Sequence, residues 1–483
     1  MNICFMCDLH LPFDKNALQY KILDWAIDDI SKKAPDCIVY AGDVTCDGNK
    51  DVYSRFVQRM QQLEIPFLYI PGNSDLRCAD CADEIYKMAS PCANSINGVS
   101  IFAINDSDGT IKDNDIRELE CADDNSIVYM HHPINSLSDD SLKMMLAWRS
   151  RHGDTMLFYG HEHKSAHVGC DVSLQALDPD KAIGENPCIT YYNTDTKEIS
   201  KAYYLCPVPG DLYRNFGVSC YSVEGDIELA IQMGLKNIEL RPNCLDADKD
   251  TLVRLVEKWR KCGGEDLSIH LPDIAYADGK VVADKHFDEY IDLAKRIKAN
   301  RFTQHVPVVA VEVVRRDKAA LGKIAAYLAE RLNTIEHDIV LGVENMHMTA
   351  KDKPDNSRRF GYVPEECIEF MNEIDARCRH KVGINFDIGH ARNNAPYSRK
   401  YQISTWFSIL GRYIVGYHMH QVTEDGGVFE NHMPITDIYG RLISYASFFA
   451  CWEQGQINKA PVIFEMRPEG AYQTTLATFE PYK

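Results

Sequence analysis

Five short fragments near the start of the chain gather metal-type residues: Asp8-Leu9-His10, Gly42-Asp43, Gly72-Asn73-Ser74-Asp75, His131-His132-Pro133 and Gly160-His161-Glu162-His163. Imidazole and carboxylate ligands suit Zn, Mn or Fe. Two such ions about 3.5–4 Å apart clamp a phosphate and generate hydroxide near neutral pH. A second series follows: Glu239, His270, His305, Glu344, Asp387 with His390, His418 with His420, Glu430 and His432, and Glu465. A lone histidine is more often structural than a ligand, but an ordered series of this kind reverses that weighting. His286, His337, His347 and His380 fall in loops or helices and are read as ordinary.

The elements between these residues explain how they meet. In the first part NICFMC, CIVYAG, FLYIPG, VSIFAI, SIVYMHH and TMLFYGH are short, β-rich runs bounded by turn residues, so they read as buried strands. NALQYKILDWAIDDISKK has helical spacing, and CITYYNTDTKEISKAYYL reads as a hairpin. The class is α/β, with ligands at carboxyl ends of strands, where open sheets place their sites. CPVPGDLYRN, rich in Pro and Gly, marks the linker, giving domains at 1–205 and 214–483 with 206–213 between them. Beyond it, FGVSCYS, NIELRP, LSIHLP, FTQHVP, IVLGVEN, VGINFDIG, IVGYHMHQV and PVIFEMR are eight strand candidates, most separated by helical stretches. That count suits a (β/α)8 TIM barrel, whose mouth lies at the C-terminal strand ends. His418 and His420 are spaced i, i+2 and so face one side of their strand. Glu239 is as consistent with a structural contact near the rim as with catalysis.

The five ordered fragments of the first part resemble the calcineurin-like metallophosphoesterase family over roughly residues 1–205. The resemblance implies an αββα sandwich holding two divalent metals (Mn, Zn or Fe). It implies Asp8, His10, Asp43 and His163 on one ion. Bridging Asp43, with Asn73, His131 and His161, would hold the other. Asp43 and Asn73 are thereby expected to be catalytic. If only one of the neighbours His131 and His132 is a ligand, the other supports the site or contacts substrate. Many family members carry His after the Asn; here it is Ser74, a poor general acid at neutral pH. Leaving-group help then falls to water, His132 or a metal.

The second part resembles the xylose isomerase-like barrel superfamily, which includes the apurinic endonuclease IV family and many sugar isomerases and epimerases. The best matches are GINFDIGH around Asp387 and His390, and LGVEN around Glu344. The resemblance implies one to three divalent metals (Zn or Mn). His270, His305 and Glu344 would hold one ion; Glu344, Asp387, His420 and Glu465 a second; His390, Glu430 and His432 a third. In the isomerases one metal polarises a sugar and two glutamates, here Glu344 and Glu465, shuttle a proton. In the endonucleases three zinc ions hydrolyse a phosphodiester. Glu430 stands where the endonucleases have Asp, and MPITDIYG replaces their Gly-rich stretch.

Charge narrows the partners. The 483 residues carry 52 Lys+Arg and 71 Asp+Glu, a net charge of −19. Such a balance disfavours nucleic acid, which selects basic surfaces. The Arg358–Arg359 loop is the candidate for a local basic groove. No run is long and apolar enough to span a membrane, and the start lacks a basic region and cleavage site. The 17 cysteines, an odd number, fit a reduced, cytoplasmic setting. Of the two CxxC pairs, Cys4/Cys7 reads as core, while Cys78/Cys81 in a polar loop has no second pair beside it. The sequence therefore predicts a bifunctional metalloenzyme. Its first domain hydrolyses a small-molecule phosphate mono- or diester. Its barrel acts on a sugar or sugar phosphate as isomerase, epimerase or lyase. The alternatives are a nucleic-acid-processing enzyme with a trinuclear barrel, and a scaffold in which one domain is inactive.

Overall fold

The computed structural model describes residues 1–349, 352–425 and 428–483. The chain divides into two compact units, Met1–Pro207 with Asp437–Ala450, and Val208–Thr436 with Cys451–Lys483. The sequence reads Asp437–Ala450 within the second domain, 214–483. The segment groups with the first unit, where Gly184 N–H donates to the Tyr439 carbonyl at 3.0 Å.

The first unit stacks two sheets. One has the order Ile199–Tyr203, Cys188–Asn193, Asn2–Met6, Cys37–Ala41, Phe67–Ile70; its last three strands run parallel. The other has the order Ala93–Ile96, Val99–Ala103, Ile127–Met130, Met156–Tyr159, Asp171–Ser173, Ala166–Val168. Their facing side chains, among them Ile3, Phe5, Val39, Ile101, Tyr129 and Phe158, form one buried core. Phe5 and Phe158 stack with centroids 3.9 Å apart. Helix Leu18–Lys33 covers one outer face with Leu18, Ile22, Leu23, Ala26 and Ile30 buried. Met145 and Trp148 of helix Asp139–Arg151 pack with Phe102, Val128 and Leu157 of the other sheet. The result is an αββα sandwich. The sequence runs locate six strands and the hairpin. Ala93–Ile96, Ala166–Val168 and Asp171–Ser173, three or four residues each, are too short and polar to show a run.

The second unit is a closed eight-stranded parallel barrel of Phe216–Cys220, Asn237–Leu240, Asp266–His270, Arg301–His305, Val340–Glu344, Lys381–Asp387, Ile414–Met419 and Val462–Phe464. Helix Ala320–Leu332 buries Leu321, Ile324, Ala325, Leu328 and Leu332, the stripe its spacing predicts. Helix Lys249–Lys261 is capped by Asp248, whose side chain accepts from Thr251 N–H. Part of the barrel interior is polar: Glu239 Oε2 accepts from Ser268 Oγ at 2.9 Å and Thr303 Oγ1 at 2.6 Å. Arg358, the candidate for a basic groove, is instead buried in a bidentate pair with Glu366 (2.9 and 2.6 Å), and Arg359 pairs with Asp352. No described helix is long and apolar enough to cross a membrane.

Candidate metal centres

In the first unit the ligand residues sit where strands give way to tight loops. Asp8, His10, Asp43, His161 and His163 all adopt positive φ, from 47° to 69°. Non-glycine residues in this region are strained, and such strain concentrates at functional sites. Asp8 N–H donates to the Gly42 carbonyl and His10 N–H to the Asp43 carbonyl, both at 3.0 Å, which locks the first two loops together. Gly72 is required by close approach: a Cβ there would lie 2.3 Å from Asp43 Oδ1.

Two candidate clusters result, and Asp43 faces both. Asp8, His10, Asp43 and His163 bring ligand atoms within 4.8 Å of one another. His10 Nε2 is 3.2 Å from His163 Nε2 and 3.7 Å from Asp43 Oδ2. On the other side, Asn73 Oδ1 is 3.0 Å from both His131 Nε2 and His161 Nδ1. Asp43 Oδ1 is 3.6 Å from His131 Nε2. His131 Nδ1 faces the Ala41 carbonyl at 2.9 Å, so that nitrogen carries a proton and Nε2 is the nitrogen turned toward Asn73 and Asp43. His132 is turned differently. Its Nδ1 bonds to the Asp106 carbonyl at 3.0 Å, while a ring nitrogen stays within 4.8 Å of those of His131 and His161.

Ser74 has a role that its position in the motif did not suggest. Its hydroxyl is buried, donates to the Thr45 carbonyl at 2.6 Å and lies 3.3 Å from His10 Nδ1. With its own proton committed to Thr45, the hydroxyl accepts from Nδ1–H and leaves Nε2 of His10 as the ligand atom. Ser74 N–H also donates to Asp43 Oδ1 at 2.7 Å. Ser74 therefore holds two candidate ligands, His10 and Asp43, at once.

Electrostatics follow the same geometry. Burial raises Asp43, but the imidazoles of His131 and His10 and the Ser74 bond outweigh it and hold the carboxyl well below its usual range. Burial lowers His131, yet Asp43, Asp8 and Asp106 lift it to about 9. His161 is pushed down to about 4 by burial and by His131 and His132.

The barrel gathers a larger set in three groups: His270, His305 and Glu344; Glu344, Asp387, His418 and Glu465; and Asp387, His390, His420 and His432. Glu344 Oε2 is 3.4 Å from His270 Nε2, and Oε1 is 3.6 Å from His305 Nε2 and 3.2 Å from His418 Nδ1. His270 Nδ1 is turned to the Leu271 carbonyl (3.0 Å) and His305 Nδ1 to Asp273 Oδ1 (2.6 Å), so both present Nε2. Asp387 Oδ1 is 3.2 Å from His420 Nε2. Gly389 leaves room for that ring, since a Cβ there would lie 2.0 Å from it.

Two assignments change. The histidine grouped with Glu344, Asp387 and Glu465 is His418, not His420. His418 lies within the strand and reaches the interior layer, with Nδ1 2.9 Å from Glu465 Oε2. His420 follows the strand; its Nδ1 lies 3.0 Å from the His432 nitrogen and 3.2 Å from the Gln421 carbonyl, and its Nε2 faces Asp387, which places it in the third group. Glu430, expected as the acidic ligand beside His390 and His432, is exposed on strand Val428–Met433 and lies outside every group; Asp387 supplies the carboxylate there. Regular alternation would put these two residues, spaced i, i+2, on one face; the positive φ at His432 breaks that alternation, so His432 is buried while Glu430 is exposed.

The ligand atoms are oriented for cations. Asp8 Oδ1, His270 Nε2, Glu344 Oε1, Asp387 Oδ2 and Glu465 Oε2 are buried without a hydrogen bond to any described residue. Converging lone pairs of this kind are costly unless a positive charge satisfies them. Despite burial, His418, His305 and His270 hold Glu344 well below its usual range. Burial lowers His305, but Glu344 and Asp273 lift it to about 10; His432 is lowered by burial to about 4. Cys4 and Cys7 are buried, and Cys78 and Cys81, half-buried, join no ligand group among the described residues.

Comparison with known proteins agrees with this division. Residues 227–482 match the family model "Xylose isomerase-like TIM barrel", and residues 1–165 match "Calcineurin-like phosphoesterase". A "Probable cyclic nucleotide phosphodiesterase" from Fibrobacter succinogenes is 26% identical over 185 residues, covering 34% of this chain and 71% of the relative. Among solved structures, an "AP endonuclease, family 2" from Brucella melitensis aligns at TM-score 0.40 and 16% identity, over 56% of this chain and 99% of that one. A dimetal phosphatase from Danio rerio aligns at TM-score 0.31 and 10% identity, over 42% and 99%.

Proposed function

The chain belongs to the xylose isomerase-like TIM barrel family and carries a calcineurin-like phosphoesterase domain ahead of the barrel, and from that premise we propose that it is a metal-dependent enzyme with two separate sites for phosphate-ester chemistry. One observation carries the reading. In each unit a buried carboxylate turns its two oxygens to different imidazoles: Asp43 to His10 and His131, Glu344 to His270 and to His305 with His418. That is the arrangement of a ligand shared by two cations. When bound, such cations neutralise a phosphoryl group and activate water at neutral pH.

In the first unit Asp8, His10, Asp43 and His163 would hold one ion, and Asp43, Asn73, His131 and His161 the other. His132, tied to Asp106 through Nδ1, remains available to give a proton to a leaving oxygen. The substrate class is a small phosphate ester. The name of the Fibrobacter succinogenes relative favours a diester.

In the barrel the geometry favours hydrolysis over a two-glutamate proton shuttle. A shuttle needs a carboxylate free to take and return a proton. Glu465 Oε1 is instead held by Arg241 Nη1 at 2.5 Å and Tyr221 Oη at 3.2 Å, and Oε2 faces His418. Burial raises Glu465, but Arg241 and His418 keep it well below its usual range. Both oxygens of Glu344 face imidazoles. The ligands beyond those of a one-metal isomerase, His270, His305, His390 and His432, fit a multi-metal hydrolase acting on a small sugar phosphate or related ester.

The test is metal analysis of the purified full chain with a screen of phosphodiesters, nucleotides and sugar phosphates in Mn²⁺ and Zn²⁺. Four or five ions per chain and turnover of a phosphate ester are expected. Two ions or fewer, or no turnover of any ester by metal-loaded protein, rejects the assignment.

A further inference from the structure

Cys78 and Cys81 form a CxxC pair that neither group of metal centres uses. They open helix Ala79–Tyr86, Cys78 as its N-cap and Cys81 at its third position. Cys81 N–H and Ala82 N–H both donate to the Cys78 carbonyl at 2.9 Å, so the first turn is closed. A closed helical turn spaces the first and fourth Cα atoms by about 5 Å. That falls within the ~4.4–6.8 Å span of a disulfide, and the two thiols already face each other within hydrogen-bonding reach. Both are half-buried, whereas Cys4 and Cys7 are sealed in the core. Two helix starts converge on the pair. Lys50, the first residue of helix Lys50–Gln61, directs its N–H at the Cys81 sulfur, and its ammonium pairs with Glu84. Gly48 permits this close packing, since a Cβ there would lie 2.6 Å from Cys78 N and 2.8 Å from the Asp75 carbonyl oxygen. Unpaired N–H groups at helix starts favour a thiolate over a thiol. A cation site fits the pair poorly, because no third ligand atom joins the two sulfurs among the described residues.

We propose that Cys78 and Cys81 are a redox-active dithiol that exchanges with small disulfides of the glutathione class. The Cys78 thiol raises Cys81 above its usual range, so Cys81 keeps its proton while Cys78, at the helix cap, attacks first. The Cys78 thiolate bonds to one sulfur of the small disulfide, whose S–S bond breaks and releases one thiolate. Cys81 then gives up its proton to solvent and bonds to the Cys78 sulfur, and the second small thiolate leaves. The protein's two thiols are oxidised to one disulfide, and the small disulfide is reduced to two thiols that take the two protons. Because the turn already has the required span, the bridge closes with little backbone movement. The loop that carries Asn73 and Ser74, just ahead of the pair, therefore keeps its place in both states. The site is independent of the phosphate-ester chemistry assigned above.

The experiment equilibrates the full, metal-loaded chain in mixtures of oxidised and reduced glutathione, quenches with an alkylating reagent and maps the cysteines by peptide mass. Oxidised glutathione should remove two of the 17 alkylatable thiols and give one peptide in which Cys78 and Cys81 are bridged. Reduced glutathione should return both. Cys121 and Cys262, exposed but each alone, are the internal controls and should form no bridge. The variants read the order of attack. Cys81→Ser should hold a glutathionyl adduct on Cys78, and Cys78→Ser should hold at least several-fold less on Cys81. Metal content should be the same in the oxidised and reduced protein. If Cys78 and Cys81 both stay alkylatable in oxidised glutathione, or the bridge forms between other cysteines, or reduced glutathione fails to open it, the assignment is wrong. An adduct trapped equally by both variants would overturn the order of attack. Loss of metal on oxidation would overturn closure in place.

Discussion

Glu239 Oε1 lies 3.0 Å from His418 Nε2, and the Nδ1 of the same ring lies 2.9 Å from Glu465 Oε2 and 3.2 Å from Glu344 Oε1. A carboxylate on one side of an imidazole fixes the proton there and turns the other nitrogen's lone pair toward the ligand group. Glu239 is itself fixed by Ser268 and Thr303, and burial is outweighed by His418 so that it is held near 2. Replacing Glu239 by Gln should weaken cation binding in the barrel by roughly 10–100-fold, the usual cost of an outer partner. Chelator competition followed by metal analysis reads this directly. Unchanged barrel affinity would show that Glu239 only braces the interior.

Asp43 is the shared carboxylate of the first unit, so its loss should remove more than one ligand. Asp43→Asn is expected to empty both positions of that unit and lower phosphoester turnover by more than the ~100-fold upper range of an outer-partner change. Barrel occupancy should stay unchanged. A variant that kept two ions in the first unit would contradict the bridging geometry.

Ser74 offers a contrasting case. If it positions His10 and Asp43, Ser74→Ala should weaken metal binding by about ten-fold and lower turnover chiefly at limiting metal. Saturating Mn²⁺ should recover most of the activity. If the hydroxyl instead acted on the leaving group, excess metal would recover nothing.

The metal-free protein should lose stability on the alkaline side. His131 and His305 are raised to about 9 and about 10 when folded, against ~6.5 unfolded. Protonation of these rings therefore stabilises the fold fully below that unfolded value, and the contribution fades as pH rises through 9 and 10. Burial and Asp43 raise Asp75 to about 7, so its contribution is lost between about 4 and 7, before this window begins. The melting temperature of chelator-treated protein should fall by several degrees between pH 7 and 10. Cation binding needs neutral His131 and His305, so the gap between loaded and stripped protein should widen as pH rises. A flat profile for the stripped protein would refute these shifts.

Removing cations at fixed pH should also destabilise both units, because a ligand that binds only the folded state adds about 2.7 kcal/mol at 100 times its Kd. A drop of roughly 5–10 °C in the melting temperature after chelation, reversed by Mn²⁺ or Zn²⁺, is expected from the usual ~2–4 °C per kcal/mol for domains of this size. Calorimetry with and without chelator measures it.

Much of this protein could be read along the chain. Each ligand fragment closes an apolar run, so Asp8, Asp43, Asn73, His131 and His161 announce themselves as strand ends, and eight runs with helices between them announce a barrel. Strand propensity, helical period and residue chemistry are local properties, which is why they survive without coordinates. What the sequence could not rank was depth and partner. Two-residue spacing puts His418 and His420 on one side, but only the end of the strand at Met419 decides that His418 reaches Glu344 and Glu465 while His420 turns to Asp387. Glu430 and His432 are equally plausible ligands as text, and only burial separates them. Ser74 became a support for His10 because folding brings it to a carbonyl 29 residues away, and Arg358 ceased to be a basic surface because Glu366 covers it. Contacts of this kind depend on where distant backbone segments come to rest, and that is set by the packing of sheets and barrel as wholes.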